Sequence, residues 1–473
     1  MTPATSTNAN AVADRPKIGL VSAIIFVISA VIGTGVFKKV VPMSAELGSP
    51  TLVLAAWLLA GLVSLAGTLS NAEVASMLAS DGGEYAYFRT IYNRFFAFLF
   101  GWTNFAVVRT SSIASIAYVF AQSVNSLIPL PATPASLANI SLLGLHPLDN
   151  LSVKLLAIVL VWSLTLFNIR GLRTGEAISR FLVVVLVVVM LLFMFTAFFS
   201  SAGSVDHLKP VETGLSGNAL ASALALACLS AFWSYEGWSN LGYIGGEIEK
   251  PSRNLPLALA VGTLIIMALY LLMNVAYLYV MPVGDLAALT QKPNSIAAIE
   301  VAGTMAGRVG ALVISGLLLV STFNCCSSSL LMSSRLFYAM AKDGMFFNRV
   351  NHLHPTFNTP SRSLRLQGAW TTLLVVSGSF DALTDMLIFA SFIFYGATTV
   401  GVFLLRRRMP DAPRPYKVIG YPVVPGLFLL FCAYLIVNTL INRPYEAGIG
   451  LLLMATGVPF YFYWSKRKIE GRG

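Results

Sequence analysis

Charge is scarce in this chain. Asp, Glu, Lys and Arg make up 11% of 473 residues, less than half the share of about 25% usual in soluble domains. A surface that must face water all round cannot be built from so little. Histidine is nearly missing too: His146, His207, His352 and His354 all fall between apolar segments. No His-Glu-x-x-His, Gly-x-Ser-x-Gly or Gly-x-x-x-x-Gly-Lys-Ser/Thr pattern occurs, which argues against metalloprotease, nucleophile-elbow and ATP-driven chemistry. Cys228, Cys325, Cys326 and Cys432 all lie inside apolar stretches. They leave no disulfide framework and no metal set, so no catalytic residue, metal or cofactor is expected.

What fills the chain instead is hydrocarbon. Hydrophobic residues reach 56% and the mean hydropathy is +0.76. Twelve apolar segments approach the ~20 residues that cross a bilayer, near 18–37, 50–71, 94–127, 153–170, 178–200, 216–246, 254–281, 306–341, 362–379, 383–405, 421–441 and 445–465. The fold expected is an all-α polytopic membrane protein of 12 transmembrane helices. The first span lacks an Ala-x-Ala-like cleavage site and is expected to stay attached.

The basic excess, 31 Lys+Arg against 20 Asp+Glu, would suit nucleic acid, but its placement speaks for a bilayer. With the N-terminus inside, 23 Lys/Arg fall on the inner side. Seven lie in outer loops (Lys38, Lys39, Lys154, Lys209, Lys292, Arg308 and Arg443), and Arg109 sits within the third span. This bias predicts cytoplasmic termini in a multi-pass cell-membrane protein. The runs Arg406-Arg407-Arg408 and Lys466-Arg467-Lys468 then read as topology determinants and headgroup contacts. No nucleic-acid partner is expected.

Two spans are interrupted. Val31-Ile32-Gly33-Thr34-Gly35 breaks the first and Trp233-Ser234-Tyr235-Glu236-Gly237 breaks the sixth. Lipid cannot satisfy a freed N–H or C=O, so such breaks persist only where they line a cavity or hold a ligand. Paired breaks in two halves of a chain point to a secondary transporter's substrate site. Each unit of five spans opens with a break, and an odd number of spans forces the second unit to enter from the opposite face. The expected organisation is a cytoplasmic tail at 1–17, a first repeat at 18–200, an inverted second repeat at 216–405, spans 11–12 at 421–465 and a basic tail at 466–473. This is a five-plus-five inverted repeat of LeuT-like type.

The breaks also suggest a ligand. Unwinding at Gly33 and Gly35 frees N–H groups at the positive end of a half-helix, which favours a carboxylate, and Thr34 adds a hydroxyl. Carbonyls freed ahead of Gly237 accept from an ammonium. A zwitterionic amino acid fits both ends. Taken singly, either break also reads as close helix packing by small residues.

Four stretches carry a family resemblance: IGTGVF at 32–37, FWSYEGWSNLGYIGGEIEKPSRNLPLAL at 232–259, SSRLFYAMAKDG at 333–344 and LLRRRMPDAPRPYKV at 404–418, with VVRTSS at 107–112 as a weaker fifth. Through them the chain resembles the amino acid–polyamine–organocation superfamily, and within it the L-type amino acid transporter group. The second stretch ends in a Glu-x-x-x-Pro-x-Arg-x-x-Pro element, here Glu247, Pro251, Arg253 and Pro256. The resemblance implies alternating access and α-amino acid transport, usually by sodium-independent exchange of neutral substrates. It gives the carboxylate to Gly33, Thr34 and Gly35, the amino group to carbonyls of Val31, Trp233 and Glu236, and an outer gate to Trp233. Ser234, Tyr235 and Gly237 complete the substrate-binding set. Relatives carry a span-5 lysine where this chain has Val183, with Arg180 the nearest cation. Relatives that join a glycoprotein heavy chain use an outer cysteine between spans 3 and 4. The loop 128–152 has none, so no disulfide-linked partner is expected.

Three features remain open in the sequence. A carboxylate at mid-membrane depth is costly and usually functional, and Glu236 can favour a cationic substrate, pair with Arg109, or couple a proton. Arg109 and Arg180 are the other coupling candidates. The stripe Phe95, Phe96, Phe98, Phe100 and Trp102 reads as an interface anchor. The run Ser321–Ser329 reads equally as substrate contact or helix glue, and Gly344 as the stop of span 8.

Overall fold

The computed structural model describes residues 18–78, 83–138, 140, 147–171, 176–238, 241, 248–292 and 294–470. Their regular structure is helical, apart from a parallel bridge between Ile18 and Ile248. In chain order the helices are α1 (Leu20–Val31), α2 (Val40–Leu47), α3 (Pro50–Met77), α4 (Gly83–Ile91), α5 (Arg94–Thr103), α6 (Arg109–Leu127), α7 (Ala135–Ala138), α8 (Leu151–Ile169) and α9 (Glu176–Phe198). There follow α10 (Gly217–Tyr235), α11 (Pro251–Val280), α12 (Val283–Ala288), α13 (Ala297–Lys342), α14 (Ser361–Ser377), α15 (Phe380–Arg408), α16 (Val423–Asn442), α17 (Pro444–Ala455) and α18 (Gly457–Glu470).

Among the described residues ten helical stretches are long and apolar enough to cross a membrane. Of the twelve segments expected, 18–37 falls on the 12-residue α1 and the turn after it, and 362–379 on the 17-residue α14. Large apolar side chains such as Leu62, Val184, Phe195, Leu430 and Ile441 stay exposed, which suits lipid as solvent. The long helix α13 is two helices meeting at Ala306 and Gly307, where Gly307 takes a φ of 58°. The apolar segment expected from 306 therefore begins at a real kink. Its other end closes at Lys342, with Gly344 at φ 70°.

Small residues bring the central helices together. Gly61 of α3 lets Met267 of α11 approach, and Gly67 lies under the ring of Phe428. Close backbone approach of this kind is how membrane helices associate without a hydrophobic drive between them. Within α13, the Thr322 hydroxyl bonds back to the carbonyl of Leu318, while Asn168 of α8 donates to the carbonyl and hydroxyl of Ser327 at 3.3 Å. At Ser327 the serine-rich run acts as helix glue, whereas Thr322 satisfies its hydroxyl within its own helix.

Ion pairs tie each end of the bundle. At one end Glu73, 1% exposed, accepts from Arg406 Nε at 2.8 Å and from Arg406 Nη2 at 2.7 Å, and also from the backbone N–H of Val418 at 2.7 Å. Arg414 lies 3.8 Å from the same carboxylate, and Arg408 donates to the carbonyl of Ile91. Arg406 and Arg408 are thus held by protein groups, contrary to their reading as headgroup contacts, because a buried glutamate and a helix-end carbonyl need donors more than a lipid phosphate does. At the other end Lys38 and Lys39 lie in the turn before α2 but are buried, not solvated. Lys39 is fully buried and donates to Asp381 and Thr384, each at 2.7 Å, while Lys38 donates to Gln122 at 2.6 Å.

The aromatic stripe also departs from its reading. Phe98, Phe100 and Trp102 are buried. Rings of α18 cover two of them, with Trp102 4.7 Å from Phe460 and Phe98 5.8 Å from Trp464 between centroids, while Phe100 packs on Phe88 and Phe394. The stripe is a packing surface for the last helix, which the sequence placed in a separate appendage.

Removing one partner of a buried ion pair leaves a charge unmatched, at a cost of about 3–5 kcal/mol. Arg406 retains 22% of its side-chain exposure, which puts this pair at the low end. Glu73→Ala is therefore expected to lower the thermal midpoint of the detergent-purified protein by several degrees. A midpoint unchanged from the wild type would show that the tie contributes nothing.

Candidate functional site

Both interrupted helices stop where glycine permits it. The first ends at Val31, Ile32 turns extended at ψ 100°, and a single turn of 3-10 helix over Gly35–Phe37 leads into α2. The second ends at Tyr235. Glu236 is extended at ψ 142° and Gly237 takes a φ of 117°, which a residue with a Cβ adopts only under strain.

The two breaks touch. A Cβ on Gly35 would lie 2.3 Å from the Ser234 hydroxyl and 2.7 Å from its Cα. A Cβ on Gly237 would lie 2.3 Å from the carbonyl oxygen of Ala30. Each glycine therefore makes room for the backbone of the other helix. Tyr270 of α11 spans the junction, its hydroxyl lying 3.0 Å from the Ser234 carbonyl and 3.3 Å from that of Val31.

Polar groups at this junction lack protein partners. Among the described residues the N–H groups of Gly33 and Thr34 donate to no backbone carbonyl. Among the same residues the hydroxyls of Thr34 and Ser234 and the indole N–H of Trp233 are buried with no hydrogen-bond partner. Buried orphan donors are rare, and several in one place call for a ligand or ordered water. Amide and hydroxyl donors at Gly33–Gly35 lie beside the carbonyl ends of α1 and α10. That arrangement can bind a group bearing a carboxylate and an ammonium a few ångströms apart.

The other expected residues are distributed around this junction. Trp233 packs edge-on against Phe380 at 6.3 Å, and Lys38 and Lys39 lie over the same ring at 4.3 and 4.9 Å. Tyr235 points away from the break and donates to the carbonyl of Trp57 in α3 at 3.2 Å. Glu236 points toward α15, where the hydroxyl of Tyr395 reaches both carboxylate oxygens at 2.7 Å. Arg109 begins α6, directly after the π turn Asn104–Val108, and its charge bears on Glu236. Glu247 lies outside the described residues, as does the side chain of Arg180.

Several residues at or near the site carried no sequence signal. Glu84 of α4 is 4% exposed, receives the amide of Asn71 at 3.4 Å, and senses the charges of Glu236 and Arg109. It falls between two apolar segments, where a carboxylate reads as a solvated loop residue. Burial pushes its carboxyl up to about 7, with Glu236 acting the same way and Arg109 opposing. Tyr395, Asn71 and Tyr270 sit unremarked within apolar runs. A cavity of about 280 Å³ lies elsewhere, toward α2 and α17, lined among others by Glu46, Ser230, Asp381, Asp385 and Arg443. It abuts the Lys39 ion pairs and not the breaks, whose orphan donors mark the site more directly than volume does.

The chain is similar over nearly its whole length to known proteins. A family model described as "Amino acid permease" matches residues 18–461. The "Serine/threonine exchanger SteT" of Bacillus subtilis is 29% identical over 456 residues, covering 96% of this chain and 98% of that protein. The "Large neutral amino acids transporter small subunit 2" of Homo sapiens is 30% identical over 474 residues, covering 98% of this chain and 84% of its own length. The "b(0,+)-type amino acid transporter 1" of Homo sapiens is 28% identical over 456 residues, 95% of this chain and 88% of its own.

The contact between the breaks generates a test. Gly35→Ala drives a methyl into the Ser234 backbone, which trimming the Ser234 side chain cannot relieve, and Gly237→Ala adds strain at positive φ. Each is expected to reduce substrate binding or uptake at least tenfold, while α10 and the rest of the bundle still fold. Uptake measured on variants that elute as monodisperse peaks would check this, and near wild-type rates for both would refute the contact.

Proposed function

The chain belongs to the amino acid permease family, and from that premise we propose that it is a secondary transporter of L-amino acids. It exchanges neutral substrates across the cell membrane by alternating access, without sodium. The single observation that carries this reading is the junction of two broken helices with unpartnered amides and hydroxyls facing freed carbonyls. The relatives' names, a serine/threonine exchanger and a large neutral amino acids transporter subunit, support both the exchange and the substrate class.

In this reading residues 18–200 and 216–405 are the inverted repeats, 421–465 carry spans 11 and 12, and both termini are cytoplasmic. Gly33, Thr34 and Gly35 receive the carboxylate. Carbonyls of Val31, Trp233 and Glu236 receive the amino group, with Ser234 and Gly237 shaping the junction. Trp233 closes the site against Phe380. Val31 and Ser234 already accept from Tyr270, and each carbonyl keeps a second lone pair for a substrate. No cysteine occurs in the loop 128–152, and the reading includes no disulfide-linked partner.

A second reading, cationic or proton-coupled transport, is favoured by one feature. Glu236 sets a carboxylate beside the junction, held toward α15 by the hydroxyl of Tyr395. The name "b(0,+)-type amino acid transporter 1" is compatible with either.

Uptake of radiolabelled serine and leucine into proteoliposomes separates these readings. Exchange predicts uptake only when the vesicles are preloaded with neutral amino acid, at a rate indifferent to sodium, and at least tenfold slower in Trp233→Ala. Uptake into empty vesicles driven by an inward proton gradient would replace exchange with symport. No uptake of any amino acid would defeat the proposal.

A further inference from the structure

The transport reading leaves the cavity of about 280 Å³ beyond the Lys39 ion pairs without a role. It opens where the starts of α15 and α17 meet α2 and α10. Its walls carry four carboxylates, Glu46, Asp381, Asp385 and Glu446, against one guanidinium, that of Arg443. Two of the four are matched. Arg443 donates to Glu46 at 2.5 Å, and Lys39 donates to Asp381 at 2.7 Å. Lys38, next to it in the chain, gives its ammonium to Gln122.

The other two are not. Glu446 is half-buried and meets no donor or cation among the described residues. It stands in the first turn of α17, where a helix dipole favours negative charge, so by itself it needs no ligand. Asp385 is different. It is 8% exposed, its Oδ1 is buried without a hydrogen-bond partner, and Lys39 stays 3.9 Å away. A buried carboxylate oxygen with no donor is costly unless something fills the space before it.

The chemistry of the lining narrows what that is. Among the described residues no three His, Cys, Asp or Glu side chains converge as a metal ion requires. Pro42, Leu226 and Leu229 add hydrocarbon to the same walls. Carboxylates and leucines around one space suit a cation that offers N–H donors at its head and methylenes behind it. An amino acid suits it less, because its carboxylate would find Arg443 already held by Glu46.

We propose that this cavity binds a primary alkylammonium ion, with its N–H groups donating to Asp385 and its stem against Leu226 and Leu229. Glu446 supplies a second negative charge that draws the cation in. The site is separate from the junction of the breaks and stands whether or not the transport reading holds.

The probe is n-butylammonium chloride, added to the detergent-purified full-length protein with and without serine. Sodium chloride and tetramethylammonium chloride at equal ionic strength are the comparisons. n-Butylammonium is expected to raise the thermal midpoint saturably by about 2 °C, by the same amount when serine is present. Sodium and tetramethylammonium, which have no N–H, are expected to do far less. Asp385→Asn keeps the shape and removes the charge, and should abolish the shift. Should that buried variant fail to fold, two changes at less buried positions serve: Glu446→Gln is expected to weaken the apparent affinity at least threefold, and Ala382→Leu, which fills the cavity, to remove the shift.

Equal shifts from all three salts would reduce the effect to screening and overturn the proposal. No saturable shift, or a shift unchanged in both Glu446→Gln and Ala382→Leu, would do the same. Lysine is the last arm: a shift from lysine in the presence of serine, with none from n-butylammonium, would overturn the assignment to a free amine. A shift from n-butylammonium that serine abolishes would put the cation at the junction, which sinks this site and leaves the transport reading intact.

Discussion

The rest of this structure depends on one contact, that of two helix breaks pressed together without side chains between them. Gly35 lies against Ser234 and Gly237 against the carbonyl of Ala30. A broken helix in hydrocarbon leaves amides and carbonyls unmatched, several kcal/mol each. Two breaks placed face to face share that burden, and the remainder becomes binding capacity. The orphan hydroxyls of Thr34 and Ser234 and the free amides of Gly33 and Thr34 are what is left over. In the proposed reading, specificity for the α-amino acid frame follows from backbone groups, which leaves the side chains around them free to set which amino acid is taken.

Charge is handled by a different principle. The few ionic groups inside the bundle are used either as ties or as function, and their neighbours tell which. Glu73 has a fork of donors from Arg406 and a backbone amide, so it is saturated and structural. Lys39 is likewise saturated by Asp381 and Thr384. Glu236, at the second break, accepts from Tyr395 and has no such fork of donors among the described residues.

Much of the fold was legible in the sequence because hydropathy at a period of about 20 residues is a strong signal and lipid tolerates few alternatives. The break positions were legible because glycine within an apolar run has few other reasons to be there, and the structure ends α1 at Val31 and α10 at Tyr235. What stayed hidden depends on tertiary neighbours. Lys38 and Lys39 look like loop cations until Asp381 is brought 342 residues along the chain to meet one of them. Phe98 and Trp102 look like interface anchors until α18 covers them. Glu84 has no local signature at all, since its meaning lies in Glu236 and Arg109 on two other helices. The direction of Tyr235, into α3 and away from the break, follows from a rotamer and a carbonyl on Trp57 that no pattern encodes.

The stack that begins at Trp233 has a mechanical meaning. Trp233 rests on Phe380, Phe380 lies beneath Lys38 and Lys39, and Lys39 is pinned to α15 through Asp381 and Thr384. The segment beyond the first break and α10 before the second are therefore fastened to α15, while α1 before its break is fastened to α11 and to the strand-like bridge at Ile248. In the proposed transport cycle the junction acts as a joint between these two packings, and a bound substrate is its pin. A molecule that keeps the carboxylate and ammonium but carries a side chain too wide for Trp233 to settle on Phe380 would engage the joint and hold it open. Such a compound would be a blocker instead of a cargo, and its reach past Trp233 would measure how far the joint must close before the two pieces can move.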